Sequence, residues 1–207
     1  MKKFTKVRTA MIGILVTLSL VIFSAKPTEA AFTDVNKKYT EAVDYLISQN
    51  ATSGISETQF GTDLSIKRVD AAVMIAKVLG LTIGVAPNAG FTDVPVERQP
   101  YVNALVAEGI FHGKTATHFG AHDTMTREEM AKVIASAYDL VASEGATIPF
   151  TDVSDRFYPY VAALYKNGVA SGKDADTFGT GNVTRGEFAL FIFRAANGTE
   201  PEVIGVY

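Results

Sequence analysis

The sequence has no cysteine, so no disulfide can staple it, and an exported chain of this size would have to hold itself together by packing alone. It also lacks the residue sets of common catalysis. No Ser-His-acid or Cys-His arrangement suggests itself, and no glycine-rich turn joins a strand to a helix as a phosphate loop does. Residue types alone leave a paired-carboxylate glycosidase open, but the organisation described below leaves no room among these residues for a catalytic barrel. The reading is therefore that the chain is not an enzyme and needs no cofactor. An excess of basic charge is missing too. With 19 Lys plus Arg against 22 Asp plus Glu, the net charge is −3, which gives no broad field for nucleic acid.

One apolar run stands out, between Met11 and Phe23. It follows Lys2, Lys3, Lys6 and Arg8 and precedes the small-residue site Thr28-Glu29-Ala30. This order is that of a secretory signal peptide over residues 1–30, cleaved after Ala30. The run falls short of the ~20 residues a spanning helix needs and contains Gly and Ser, so no membrane association is expected after cleavage. Removing 1–30 takes away five basic groups and one acid and leaves a net charge of −7.

What the remainder has in abundance is repetition. Phe-Thr-Asp-Val occurs at 32–35, 91–94 and 150–153, and Phe-Gly at 60–61, 119–120 and 178–179, each 59 residues apart. Two landmarks sharing one period mean one structural unit used three times. The units are 31–89, 90–148 and 149–197, followed by a short tail, 198–207. The stretches 81–90 and 141–149 read as connectors.

Within the second unit, Pro100 suits the first turn of a helix, Tyr101, Val102, Leu105 and Val106 recur at helical spacing, and Gly109 suits a left-handed end. Thr126-Arg127-Glu128-Glu129 is a capping box opening a second helix, with Met130, Val133, Ile134, Ala137 and Tyr138 on its apolar face. The third unit repeats the plan with Pro159, Gly168 and Thr184-Arg185-Gly186-Glu187, one residue shorter between Phe178 and Thr184. The first is degenerate. Asn50 stands for the helix-ending glycine, and Lys67-Arg68-Val69-Asp70 loses the capping hydroxyl. The expected fold class is mainly α, three tandem helix-loop-helix repeats.

His112, His118 and His122 fall together, but the third unit has Ser171, Thr177 and Gly181 in their places and no fourth ligand is evident, so no metal site is assigned. Asp174-Ala175-Asp176 opens like a calcium loop, yet Phe178 stands at the third ligand position and Arg185 at the twelfth.

The combination of Phe-x-Asp-Val, a helix, Gly-x-x-x-Gly (109–113 and 168–172, with only Gly54 left in the first unit), Phe-Gly and Thr-Arg-x-Glu resembles the surface-layer homology module over essentially the whole mature chain. The resemblance implies a pseudo-threefold, mostly helical assembly, secreted and held non-covalently at the cell wall. It implies grooves between neighbouring repeats that take a secondary cell-wall polysaccharide, often ending in a pyruvylated amino sugar, with the Arg of Thr-Arg-x-Glu contributing. The chemistry is compatible, because a guanidinium pairs with a ketal carboxylate through two parallel hydrogen bonds. Arg68, Arg127 and Arg185 would act beside unpaired first-turn amides. Asp34, Asp93 and Asp152 would accept sugar hydroxyls, order the groove, or cap their own helix or turn. Gly54, Gly113 and Gly172 would let a sugar approach the backbone. The alternative is an assembly protein that binds another envelope protein, with the repeats as scaffold.

Overall fold

A computed structural model describes residues 32–198; the signal-peptide reading and all of the tail but Gly198 lie outside them. Six α-helices carry the fold: α1 (Thr40–Ser48), α2 (Arg68–Val78), α3 (Gln99–Ala107), α4 (Arg127–Ala137), α5 (Tyr158–Lys166) and α6 (Arg185–Asn197). Short 3-10 turns, Lys37–Tyr39 and Val96–Arg98, lead into α1 and α3. The described residues form isolated β-bridges but no strand.

Helix ends follow local chemistry. Pro100 and Pro159 lie in the opening turns of α3 and α5, where a missing N–H costs nothing. After the first helix of each unit the chain turns through a left-handed residue, Asn50 (φ 52°), Gly109 (φ 70°) and Gly168 (φ 70°). Thr126 and Thr184 form complete capping boxes with Glu129 and Glu187. Lys67 holds the same extended backbone before α2 with no side-chain cap.

The helix pairs do not stay within a repeat. α2 packs on α3, α4 on α5 and α6 on α1, so each lobe joins the second helix of one repeat to the first helix of the next. The third pair brings the last helix back to the first and closes a cycle. At its centre three backbone hydrogen bonds form a ring. Ile66 N–H donates to the Val183 carbonyl (3.1 Å), Val183 to Met125 (2.9 Å), and Met125 to Ile66 (3.2 Å). All three side chains are fully buried, and they share one continuous core with Phe60, Phe119 and Phe178. The chain thus uses backbone bonds, and not only apolar contact, to tie the three repeats together.

Candidate functional site

Arg68, Arg127 and Arg185 are the first residues of α2, α4 and α6. Each crosses from its own repeat into the loop of the next repeat in the cycle. Arg68 Nε donates to Phe119 O (3.0 Å) and Nη2 to His112 O (2.7 Å). Arg185 Nε donates to Phe60 O (3.0 Å), with Nη2 3.4 Å from Thr52 Oγ1. Arg127 Nη2 donates to Ser171 O (2.9 Å), its Nη1 lies 3.4 Å from Glu187 Oε1, and its Nε is buried without a partner. The Phe of each Phe-Gly pair supports the guanidinium, with Arg68, Arg127 and Arg185 lying 4.9, 4.9 and 5.0 Å from the centroids of Phe119, Phe178 and Phe60. Phe111 and Phe191 add second rings for Arg68 and Arg127.

The three arginines are only 8%, 4% and 7% exposed, so their charge is held by carbonyl dipoles, ring faces and nearby acids rather than by water. Burial pushes each guanidinium below its ordinary value. Glu129 and Asp123 oppose this at Arg68, Glu187 at Arg127, and Asp70 and Asp34 at Arg185.

The first-turn amides are a correction to the sequence reading. The leading amides of α2, α4 and α6 are already bonded within the protein and are not open to an anion. Arg68 N–H donates to Asp123 O, Val69 to Ala121, Arg127 to Gly181, Arg185 to Leu64 and Gly186 to Thr62. Carbonyls of a neighbouring repeat thus take up the leading amide of each of these helices.

The repeated aspartates clamp the Phe-Gly turn. Asp34 accepts from the amides of Phe60, Gly61 and Thr62 at 2.8, 2.6 and 3.2 Å, and Asp93 from those of Phe119, Gly120 and Ala121, each at 2.8 Å. Asp152 accepts from Phe178 and Gly179. Partial burial pushes Asp34 and Asp93 up, but their backbone N–H donors outweigh it and hold both carboxyls below the ordinary 3.8. The partner is neither the residue's own helix nor its own turn but a loop 26–28 residues on.

The glycines answer to packing. A Cβ on Gly54, Gly113 or Gly172 would meet the ring of Phe32, Phe91 or Phe150 at 2.4–2.6 Å, and a loop carbonyl at 2.4–2.7 Å. The space the sequence reading gave to a sugar is filled on that side by the Phe of the tetrapeptide.

Two cavities open beside these arginines. One, of about 310 Å³, lies between Arg68, the 110–114 loop, α4 and the start of the third repeat, and brings Lys114, Lys132, Arg156 and Phe157 to Arg68 against a single acid, Glu129. The other, of about 530 Å³, lies between Arg185, the 51–55 loop, α2 and the second repeat, with Arg98, Tyr101 and Lys77 facing Asp70 and Glu97. Both fall in the size range of small-ligand sites. Lys132, Arg156 and Arg98 have no common motif, so periodicity could not single them out, and Tyr101 was read only as part of an apolar helix face. The Phe-Gly aromatic shelf was marked by its own repetition.

Among the described residues no group of three or more His, Asp and Glu is arranged to hold a metal ion, and no helix is long and apolar enough to cross a membrane. His112 enters the site through its carbonyl, to Arg68. Asp174 accepts from the amides of Asp176 and Thr177 within its own turn.

A family model for the S-layer homology domain matches residues 31–72, 90–131 and 149–189. The chain is similar to the surface-layer 125 kDa protein of Lysinibacillus sphaericus, 29% identical over 86% of this chain and 16% of the relative. It is 28% identical to the exoglucanase XynX of Acetivibrio thermocellus over 84% of this chain and 17% of the relative. It is 30% identical to an uncharacterized cell wall amidase of Bacillus anthracis over 78% of this chain and 31% of the relative. The chain thus spans less than a third of the length of these relatives. Three matched copies, ordered as the fold orders them, show that the chain belongs to the S-layer homology domain family and is a protein of the cell surface.

Proposed function

We propose that the chain is a binding module that anchors to the cell wall by holding an acidic wall polysaccharide, a polymer with pyruvyl-ketal sugars, in the grooves between its repeats. The observation that carries this is the Arg68 cavity. A buried guanidinium, fixed by two carbonyls and two aromatic faces, lies with Lys132, Arg156 and Lys114, the last paired with Asp123, in a cavity lined by one acid, Glu129. Its Nη1 has no protein partner among the described residues, which leaves a donor for a ligand carboxylate. A preorganised donor of this kind has lost its conformational entropy before the ligand arrives.

Aromatic Phe157 and Tyr101 at the two cavities suit the apolar faces of sugar rings, and the acids suit their hydroxyls. The net charge of −7 for residues 31–207 gives no long-range attraction to an anionic polymer, so recognition is local and depends on the groove cations. The surface-layer relatives support a wall-anchoring role, and the relatives named as an exoglucanase and an amidase support a module shared among surface proteins of different activity.

The test is co-sedimentation with purified wall sacculi. Wild-type protein is expected in the pellet and is expected to be released when pyruvate is chemically removed from the wall polymer. Undiminished binding to depyruvylated walls rejects the carboxylate–arginine mechanism. Binding to wall-free envelope proteins instead would favour the scaffold alternative.

A further inference from the structure

The three grooves are not equivalent, and the difference traces to one deleted residue. In the second repeat the Lys114 side chain lies over Gly120 and pairs with Asp123 at 2.6 Å, which holds it off Glu129. In the third repeat only four residues separate Gly179 from Thr184, where five separate Gly120 from Thr126, and none of the four is acidic. Lys173, the counterpart of Lys114, pairs instead with Glu187. Glu187 also contacts Arg127 Nη1 at 3.4 Å. Among the described residues, neither Arg68 nor Arg185 has a carboxylate within ion-pair distance. In the first repeat the lysine position is Ile55, and the acid, Asp70, is shorter and pairs with Arg98.

A second observation is independent of the ion pair. Arg68 and Arg185 place Nε on the carbonyl of the Phe-Gly turn, whereas Arg127 Nε is buried with no partner among the described residues. An unmet buried N–H is costly and persists only where something else holds the group. Here the Glu187 carboxylate and the Phe191 ring, 4.6 Å away, hold it.

We infer that the Arg127 groove is closed to anionic ligands by an internal carboxylate, Glu187 bridged by Lys173, and that only the Arg68 and Arg185 grooves take the acidic sugar. Glu187 occupies the position on Arg127 that a ligand carboxylate would need. Burial raises the Glu187 carboxyl, but Lys173, the Thr184 amide and Arg127 together hold it below its ordinary value, so the anion persists at neutral pH. Closure of this kind rests on the proposed carboxylate recognition. It deepens that reading by setting the number of working sites at two.

The probe is the methyl glycoside of an N-acetylhexosamine bearing a pyruvyl ketal, titrated into the full mature chain. Calorimetry is expected to give two sites per wild-type chain and three for Glu187→Gln, since Gln keeps the capping box while losing the charge. In parallel, the side-chain Nε–H resonances of Arg68 and Arg185 are expected to shift saturably in the wild type, and that of Arg127 to stay still until Glu187 is replaced. Three wild-type sites, an Arg127 resonance that moves with the others, or a folded Glu187→Gln chain with no added site overturns the closure. If Glu187→Gln does not fold, the wild-type resonances decide alone. No saturable binding by either chain rejects the carboxylate reading itself, and is distinct from a failure of the closure.

Discussion

At the scale of single residues, the repeated motifs prove to be partners of one another. Asp93 fixes the turn that carries Phe119, Phe119 supports Arg68, and Gly113 makes room for Phe91. Replacing Asp93 with Ala removes a charged acceptor from three amides and is expected to cost about 2–3 kcal/mol by denaturant unfolding, with Asn costing less. The lowered carboxyls also set a pH dependence. Asp34 and Asp93 titrate below 3.8 in the fold and near 3.8 when unfolded, so the unfolded chain takes up protons first. Their contribution is complete above the ordinary carboxylate range and is lost as pH falls through the lowered folded values, a loss that Asp93→Ala should blunt in a pH series of melting curves. Gly113→Ala, which places a methyl 2.4 Å from Phe91 and a carbonyl, should destabilise by about 1–3 kcal/mol. Gly145→Ala has open space around it and only a positive φ against it, and should cost about 1 kcal/mol.

At the scale of elements, helix positions were legible because their signals are local. Pro100, Thr126 and Gly109 act on their own backbone, and the helices begin and end beside them. The missing cap of α2 was equally legible. Lys67 has φ −78° and ψ 145°, close to the −76° and 160° of Thr126, so the backbone is ready for a capping hydroxyl. Lys67→Thr is expected to raise stability by about 1 kcal/mol, measured as a shift in the unfolding midpoint at unchanged slope. The state of the helix N-termini was not legible. Free first-turn amides are the normal condition of an isolated helix, and the leading ones are taken up here because the preceding loop of another repeat lies across them.

At the scale of the whole molecule, the α6–α1 pair and the Ile66–Met125–Val183 ring join the three repeats into one closed cycle. A chain ended at residue 148 loses α6 from α1, Val183 from the ring and Arg185 from the first loop. It is expected to show no cooperative thermal transition, whereas the mature chain shows a single one by circular dichroism. A sharp transition in the shortened chain would mean that lobes fold independently.

The sequence by itself determined the number of units, their helices and caps, and the recurrence of an arginine at the start of each second helix, because each of these is written in spacing or in a residue's effect on its own backbone. Only the tertiary structure decided what those residues meet. That Arg68 reaches the second repeat, that Asp93 clamps a loop, and that Lys173 turns to Glu187 for want of an Asp123 are consequences of chain segments 14 to 125 residues apart coming into contact. Contact of that range depends on how the whole cycle closes, and periodicity carries no record of it.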